Sequence, residues 1–371
     1  MKSVLLVSFI AAFVSSSIAL DCTQIPASAV VPGHFVNIPA GAETPVQIPP
    51  NYDCTYQVSV PPMVYARVSL DNGMKGNNDM IIVRDGQLTT TVVSSRSNSV
   101  MQFSVFPNTT TTFRVWTRSV DMHSTFRLTV FYQKMLNTSV TYLGNPDMKY
   151  FILNDLQVNS YKTPQTMVSK ERISLSVAHS GWDADKFDNF FVIDGDIEHP
   201  NEVYRMSRFV YQNYISTGNN LTVVGLDNSV SESSVVFTPL SQTLQYDSVT
   251  AIGTYFQANQ LDINAKIGAK KKQAVNVIAM NDYTRILSVD KTSDPDCSLK
   301  AVQSPPTATS EVFLDFSTVT DFPRNITHQS FTIVAENCAA TIRMAEPSED
   351  LQMILFLEDH SAALSDFSSR N

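Results

Sequence analysis

The sequence predicts an all-β protein, and three observations lead there. Helical periodicity is nearly absent from its 371 residues. Short runs of Val, Ile, Phe, Tyr and Thr alternate with polar residues and are broken by Pro, Asn, Asp and Gly, the pattern of a sandwich or barrel. One phrase, Asp-x-apolar-apolar-Val-x-Asp-Gly, occurs twice: Asp79 to Gly86 reads DMIIVRDG, and Asp188 to Gly195 reads DNFFVIDG.

The chain opens with Met1-Lys2, an apolar run from Val4 to Val14, and small residues from Ser15 to Ala19. That order predicts a signal peptide over residues 1–19, cleaved near Ala19 or Leu20. The run is too short to span about 30 Å of hydrocarbon. The last segment, Ser361 to Asn371, is polar where a lipid-anchor signal needs an apolar tail. A secreted, extracellular protein without membrane insertion is therefore expected. Four sequons, at Asn108, Asn137, Asn220 and Asn325, become glycosylation candidates on that route.

Four cysteines in an oxidising compartment suggest two bridges, with three pairings open. Cys22 and Cys54 lie near one end, Cys297 and Cys338 near the other, which favours the local pairs. Each would close a loop worth about 3 to 4 kcal/mol in the chain-entropy treatment. No Cys-x-x-Cys offers a zinc site. A net charge of −9 and a pI near 5.1 argue against nucleic acid as a partner. The basic cluster Lys266 to Lys272 reads as a solvated hairpin tip.

Strand-like runs are placed in order along the chain. Tyr56 to Val60, Tyr65 to Leu70, Phe113 to Trp116 and Phe126 to Phe131 fill a first domain over residues 20–133. Arg67-Val-Ser-Leu70 is answered by Arg172-Ile-Ser-Leu175. The repeated phrase follows in each case. Phe113 to Trp116 is then answered by Leu221 to Val224, and Phe126 to Val130 by Val235 to Phe237. Matches in register predict a tandem duplication, with a second domain over 138–247. Residues 248–371 form a third, β-rich C-terminal region without a clear copy of the phrase. Its runs include Ala274 to Ile278, Arg285 to Val289, Phe331 to Val334 and a closing hairpin through Leu351 to Leu357.

The layout Cys22, Cys54-Thr-Tyr56, Asp79 to Gly86 and Phe126 to Phe131 resembles that of secreted CUB domains. Val60-Pro-Pro62 and the compact Phe106 to Val115 stretch resemble more closely the CUB-like domains of secreted nematode proteins. The resemblance covers about residues 22 to 132 and reaches the second domain only through the internal repeat. It implies tandem CUB-like β-sandwich (jelly-roll-like) domains, extracellular recognition of protein or carbohydrate, and a role in innate immunity or stress. It also implies a possible calcium site at Asp71, Asp79 and Asp121; no other cofactor is expected. The chain departs from the family in lacking a second disulfide in the first domain and any cysteine in the second.

No Gly-x-Ser-x-Gly elbow, His-Glu-x-x-His or phosphate-cradling glycine loop occurs. The six histidines are scattered. The most site-like loop is His179 to Asp185, where Trp182 could stack on a sugar or anchor a partner. The expectation is a non-enzymatic glycoprotein for recognition of an unknown extracellular protein or glycan. A structural matrix or surface-coat protein is the alternative, and a hydrolase ranks behind both.

Overall fold

A computed structural model describes residue 20 and residues 22–120, 123–158, 161–179, 184–226, 231–254, 258–280 and 283–346. The stretch expected to be a signal peptide, Asp121, Trp182 and the expected hairpin through Leu351 to Leu357 lie outside the described residues. The protein is all-β, and it divides into two compact units, residues 1–134 and 135–371.

The first unit holds β1 (Phe35–Ile38), β2 (Val46–Gln47), β3 (Asp53–Ser59), β4 (Val64–Gly73), β5 (Met80–Arg84), β6 (Thr90–Val93), β7 (Val100–Val105), β8 (Thr110–Trp116) and β9 (Thr125–Lys134). One sheet has the order β1-β9-β4-β7, with β2 also on β9, and the other β3-β8-β5-β6. Alternation decides which face meets the core. Along β9, Phe126, Leu128, Val130 and Tyr132 are buried while Arg127, Thr129 and Phe131 are only partly covered. Along β5, Ile81 and Val83 enter the core, and Ile82 between them lies opposite Arg114 on the outer face. Burying each such aliphatic side chain contributes about 1.5–3 kcal/mol.

The second unit begins with β10 (Ser139–Leu143), β11 (Lys149–Ile152), β12 (Gln157–Val158), β13 (Tyr161–Lys162), β14 (Gln165–Ser169), β15 (Ile173–Ala178), β16 (Phe190–Gly195), β17 (Pro200–Arg205), β18 (Tyr214–Ile215), β19 (Asn220–Gly225) and β20 (Ser234–Pro239). Its sheets run β11-β20-β15-β18 and β10-β14-β19-β16-β17, with β12 and β13 paired separately. Apart from β10, these orders repeat those of the first unit. Phe190 and Val192 take the inward places of Ile81 and Val83. On that frame Phe113 corresponds to Val223, two residues beyond the match suggested by the sequence; a shift of two leaves the inward face unchanged.

The rest of the unit is β21 (Ser248–Thr254), β22 (Asn259–Asn264), β23 (Lys272–Ala279), β24 (Thr284–Lys291), β25 (Ser298–Gln303), β26 (Val312–Asp315), β27 (Arg324–Ile326), β28 (Ser330–Glu336) and β29 (Ala339–Ala345). The sheet orders are β22-β29-β24-β27 and β21-β23-β28-β25-β26. This is the same sandwich a third time, where the sequence showed no repeat. Leu299 and Ala301 on β25 now take the inward places. Ala178, Val236 and Ile278 pack together where the second and third sandwiches meet. There Tyr150 donates from its hydroxyl to Gln329 Oε1 at 3.0 Å, and Gly253 N–H donates to His179 O at 3.1 Å. A Cβ on Gly253 would sit 3.0 Å from Ala178 O, so the close approach favours glycine.

Candidate functional site

The repeated phrase does different work in each copy. Asp79, one residue before β5, is 1% exposed. Its Oδ1 accepts from Arg118 N–H at 2.9 Å and Ser119 N–H at 3.0 Å. Its Oδ2 accepts from the Ser124 hydroxyl at 2.7 Å, and that hydroxyl accepts from Lys75 N–H at 3.0 Å. The carboxylate thus clasps the loop between β8 and β9 to the start of β5. Burial pushes its pKa up, but the bonds from Ser124, Arg118 and Ser119 more than offset this and hold it below the usual carboxylate value. Gly76 is required alongside, because a Cβ there would lie 2.6 Å from Asp79 Oδ2.

Asp71 lies opposite Arg127 in the β4–β9 ladder and accepts from its Nε at 2.7 Å. Asp79 is taken up by protein donors and Asp71 by a guanidinium, so these two residues as arranged do not fit a calcium ion. Among the described residues no group of three or more His, Cys, Asp or Glu is placed to hold a metal. Asp121, the third expected ligand, lies outside them.

In the second copy Asp188 is exposed, and its Oδ1 accepts from the Ser207 hydroxyl. In the third copy Cys297 stands two residues before the inward Leu299, as Asp79 stands before Ile81. Cys297 is bonded to Cys338, in the loop between β28 and β29, and Cys22 to Cys54. These are the local pairs expected from the sequence.

The closing Asp-Gly pairs also diverge. Asp85 caps its turn by accepting from Gln87 N–H at 3.0 Å and Thr89 N–H at 2.7 Å. The positive φ of that turn falls on Leu88, at 65°, not on Gly86; a Cβ on Gly86 would meet Thr109 Cβ at 2.7 Å. Asp194, fully buried, accepts from the Tyr214 hydroxyl and Thr217 N–H, each at 2.7 Å. Burial first, then the Asp194 bond, push the Tyr214 pKa up. Gly195 does carry a positive φ, 106°.

A cleft of about 280 Å³ opens where the second and third sandwiches meet. His179, Phe209, Tyr211, Asn213, Thr250 and Gln260 are among its lining residues. Tyr211 is 82% exposed, and its ring meets the His179 ring edge-on with centroids 5.6 Å apart. An exposed aromatic beside amide groups offers a stacking face and hydrogen-bond partners to a polar ligand. His179, the first residue of the stretch expected to be site-like, lines this cleft, and Trp182 lies outside the described residues. No sequence signal marks Tyr211, because the short YQNY stretch from Tyr211 to Tyr214 has no periodicity. Three of the four lysines in the basic cluster have partners within the fold. Lys270 Nζ donates to Leu244 O and Tyr246 O, while Lys266 pairs with Asp294 and Lys272 with Glu336. Asn108, Asn137 and Asn325 are exposed; Asn220 is half-buried, with Thr222 of its sequon inside the sheet.

No helix among the described residues is long and apolar enough to cross a membrane. Residues 17–136 match the profile of the family described as CUB-like domain. The search of curated proteins finds no match. Among solved structures, the chain is similar to the CUB1-EGF-CUB2 domains of human MASP-1/3, at 10% identity over 55% of this chain and 98% of that one, with a TM-score of 0.21. The corresponding rat MASP-1 domains give the same identity and TM-score over 55% and 97%. The full extracellular region of zebrafish Gpr126/Adgrg6 gives 10% identity over 85% and 52%, with a TM-score of 0.24.

Proposed function

We propose that this chain is a secreted, non-enzymatic recognition protein that binds an extracellular protein or glycan, in the setting of innate immunity or stress. The CUB-like match over residues 17–136 carries the reading, because that domain is an extracellular type of binding module. The two disulfides agree with an oxidising compartment. The ligand contact is assigned to the cleft at Tyr211, whose exposed ring has a large apolar area and few rotatable bonds.

The test is a glycan array and a surface-protein pull-down, using chain recovered from the medium of secreting cells. The expected outcome is a reproducible ligand whose affinity falls about tenfold or more in Tyr211→Ala, as for a central aromatic anchor. Retention of the chain inside the cells, no ligand in either format, or turnover of a bound glycan or protein would overturn the reading.

A further inference from the structure

The outer edge of β3 separates the first sandwich from the other two. In the second sandwich β10 lies parallel on β14, from Ser139 opposite Gln165 to Leu143 opposite Ser169. In the third, β21 lies parallel on β23, from Ser248 opposite Gln273 to Thr254 opposite Ala279. Both added strands open with Ser-Val-Thr. β3 holds the corresponding place beside β8, and among the described residues no strand is added to it.

A side chain begins that strand instead. Gln24 Nε2 donates to Thr55 O at 3.0 Å, and Gln57 N–H donates to Gln24 Oε1 at 2.9 Å. A residue of a parallel strand makes this pair of bonds with its own N–H and C=O, straddling one residue of its neighbour, here Tyr56. Gln24 is held in place two residues from the Cys22–Cys54 disulfide. Alternation turns Gln57 C=O and Ser59 N–H toward the same edge, and among the described residues no hydrogen bond reaches either from that side. Beside them opens a cleft of about 420 Å³ lined in part by Ile25, Ala27, Val30, Val60 and Pro61.

We propose that this edge accepts an extended segment of a partner protein, laid parallel to β3 from Gln57 onward and rich in β-branched residues like β10 and β21. Main-chain bonds to Gln57 O and Ser59 N would continue the rung that Gln24 begins, and Ile25, Val30 and Val60 would take its apolar side chains. A second copy of the chain is the poorer donor, because its two strands of this pattern are already laid on β14 and β23. This surface is independent of the Tyr211 cleft.

The probe is a labelled peptide of sequence TSVTYLG, corresponding to residues 138–144, titrated into the full secreted chain by fluorescence anisotropy. A second peptide carries N-methyl groups at the positions that would face β3. Hydrogen exchange with mass spectrometry locates the bound site. The expected result is saturable binding, protection confined to residues around Gln57 to Val60, and about tenfold or greater weakening by N-methylation as main-chain bonds are lost. Four results would overturn the proposal: no binding up to millimolar peptide, equal binding of the N-methylated peptide, protection falling instead on β14 or β23, or a dimer of the chain that the peptide dissociates, which would make the occupant a second copy.

Discussion

At the start of the strand that carries the repeated phrase, the first sandwich places Asp79 and the third places Cys297. Both reach the loop that leads into the last strand. Asp79 holds it with three hydrogen bonds, from Arg118, Ser119 and Ser124; Cys297 holds it with a covalent bond to Cys338. The second sandwich has Asp188 at this place, but exposed and turned to Ser207. One topological position thus carries a buried carboxylate clasp, a surface carboxylate and a disulfide. The fold thus tolerates different chemistry at this corner: a hydrogen-bonded clasp in the first sandwich, a covalent bond in the third, and in the second an Asp188 that does not tie it.

The largest effect is expected at the Cys297–Cys338 disulfide. Cys297→Ala with Cys338→Ala opens a loop with a sequence separation of 41. The expected loss is about 4 kcal/mol by loop entropy, equal at pH 7 and pH 3 because neither cysteine titrates when bonded. Urea unfolding followed at both pH values checks it; a loss under about 1 kcal/mol would mean the corner is held by packing alone.

Asp79→Asn should cost less, about 2 kcal/mol at pH 7, since charge-assisted bonds to a buried carboxylate are lost while its shape is kept. The pH dependence separates this clasp from the disulfide. The folded-state pKa of Asp79 lies below its unfolded value. Its contribution is therefore present above the unfolded pKa of about 3.9 and is lost as pH falls through the depressed folded value. The gap between wild type and variant should shrink on acidification, and a constant gap in parallel denaturation curves would show that charge plays no part.

The smallest effect belongs to Asp188→Ala. With the carboxylate in solvent, the change should stay within about 0.5 kcal/mol in either direction. A melting curve displaced as far as that of Asp79→Asn would show that the second copy uses its Asp as the first does.

Much of the fold was legible in the residues. Alternation in stretches such as Phe126-Arg-Leu-Thr-Val130 names both the strand and its inward face, because pleating sends successive side chains to opposite sides. The Asp79 and Asp188 phrases revealed the second copy. The third copy stayed hidden because Cys297, Gln303 and Ser304 stand where the first has Asp79, Asp85 and Gly86, and only the parity of Leu299 and Ala301 survives. The Tyr211 cleft was illegible for another reason: His179, Tyr211 and Gln260 come from separated strands and loops that meet only when two sandwiches pack.

By itself the sequence determined the β class, the internal duplication and the cysteines within reach of one another, since these rest on period, repetition and short loops. The tertiary structure decided what each Asp of the phrase does. A carboxylate becomes a clasp only where a distant loop brings donors to it and burial removes competing water, as at Asp79 and not at Asp188. That meeting is set by long-range packing, to which a repeated eight-residue phrase is blind.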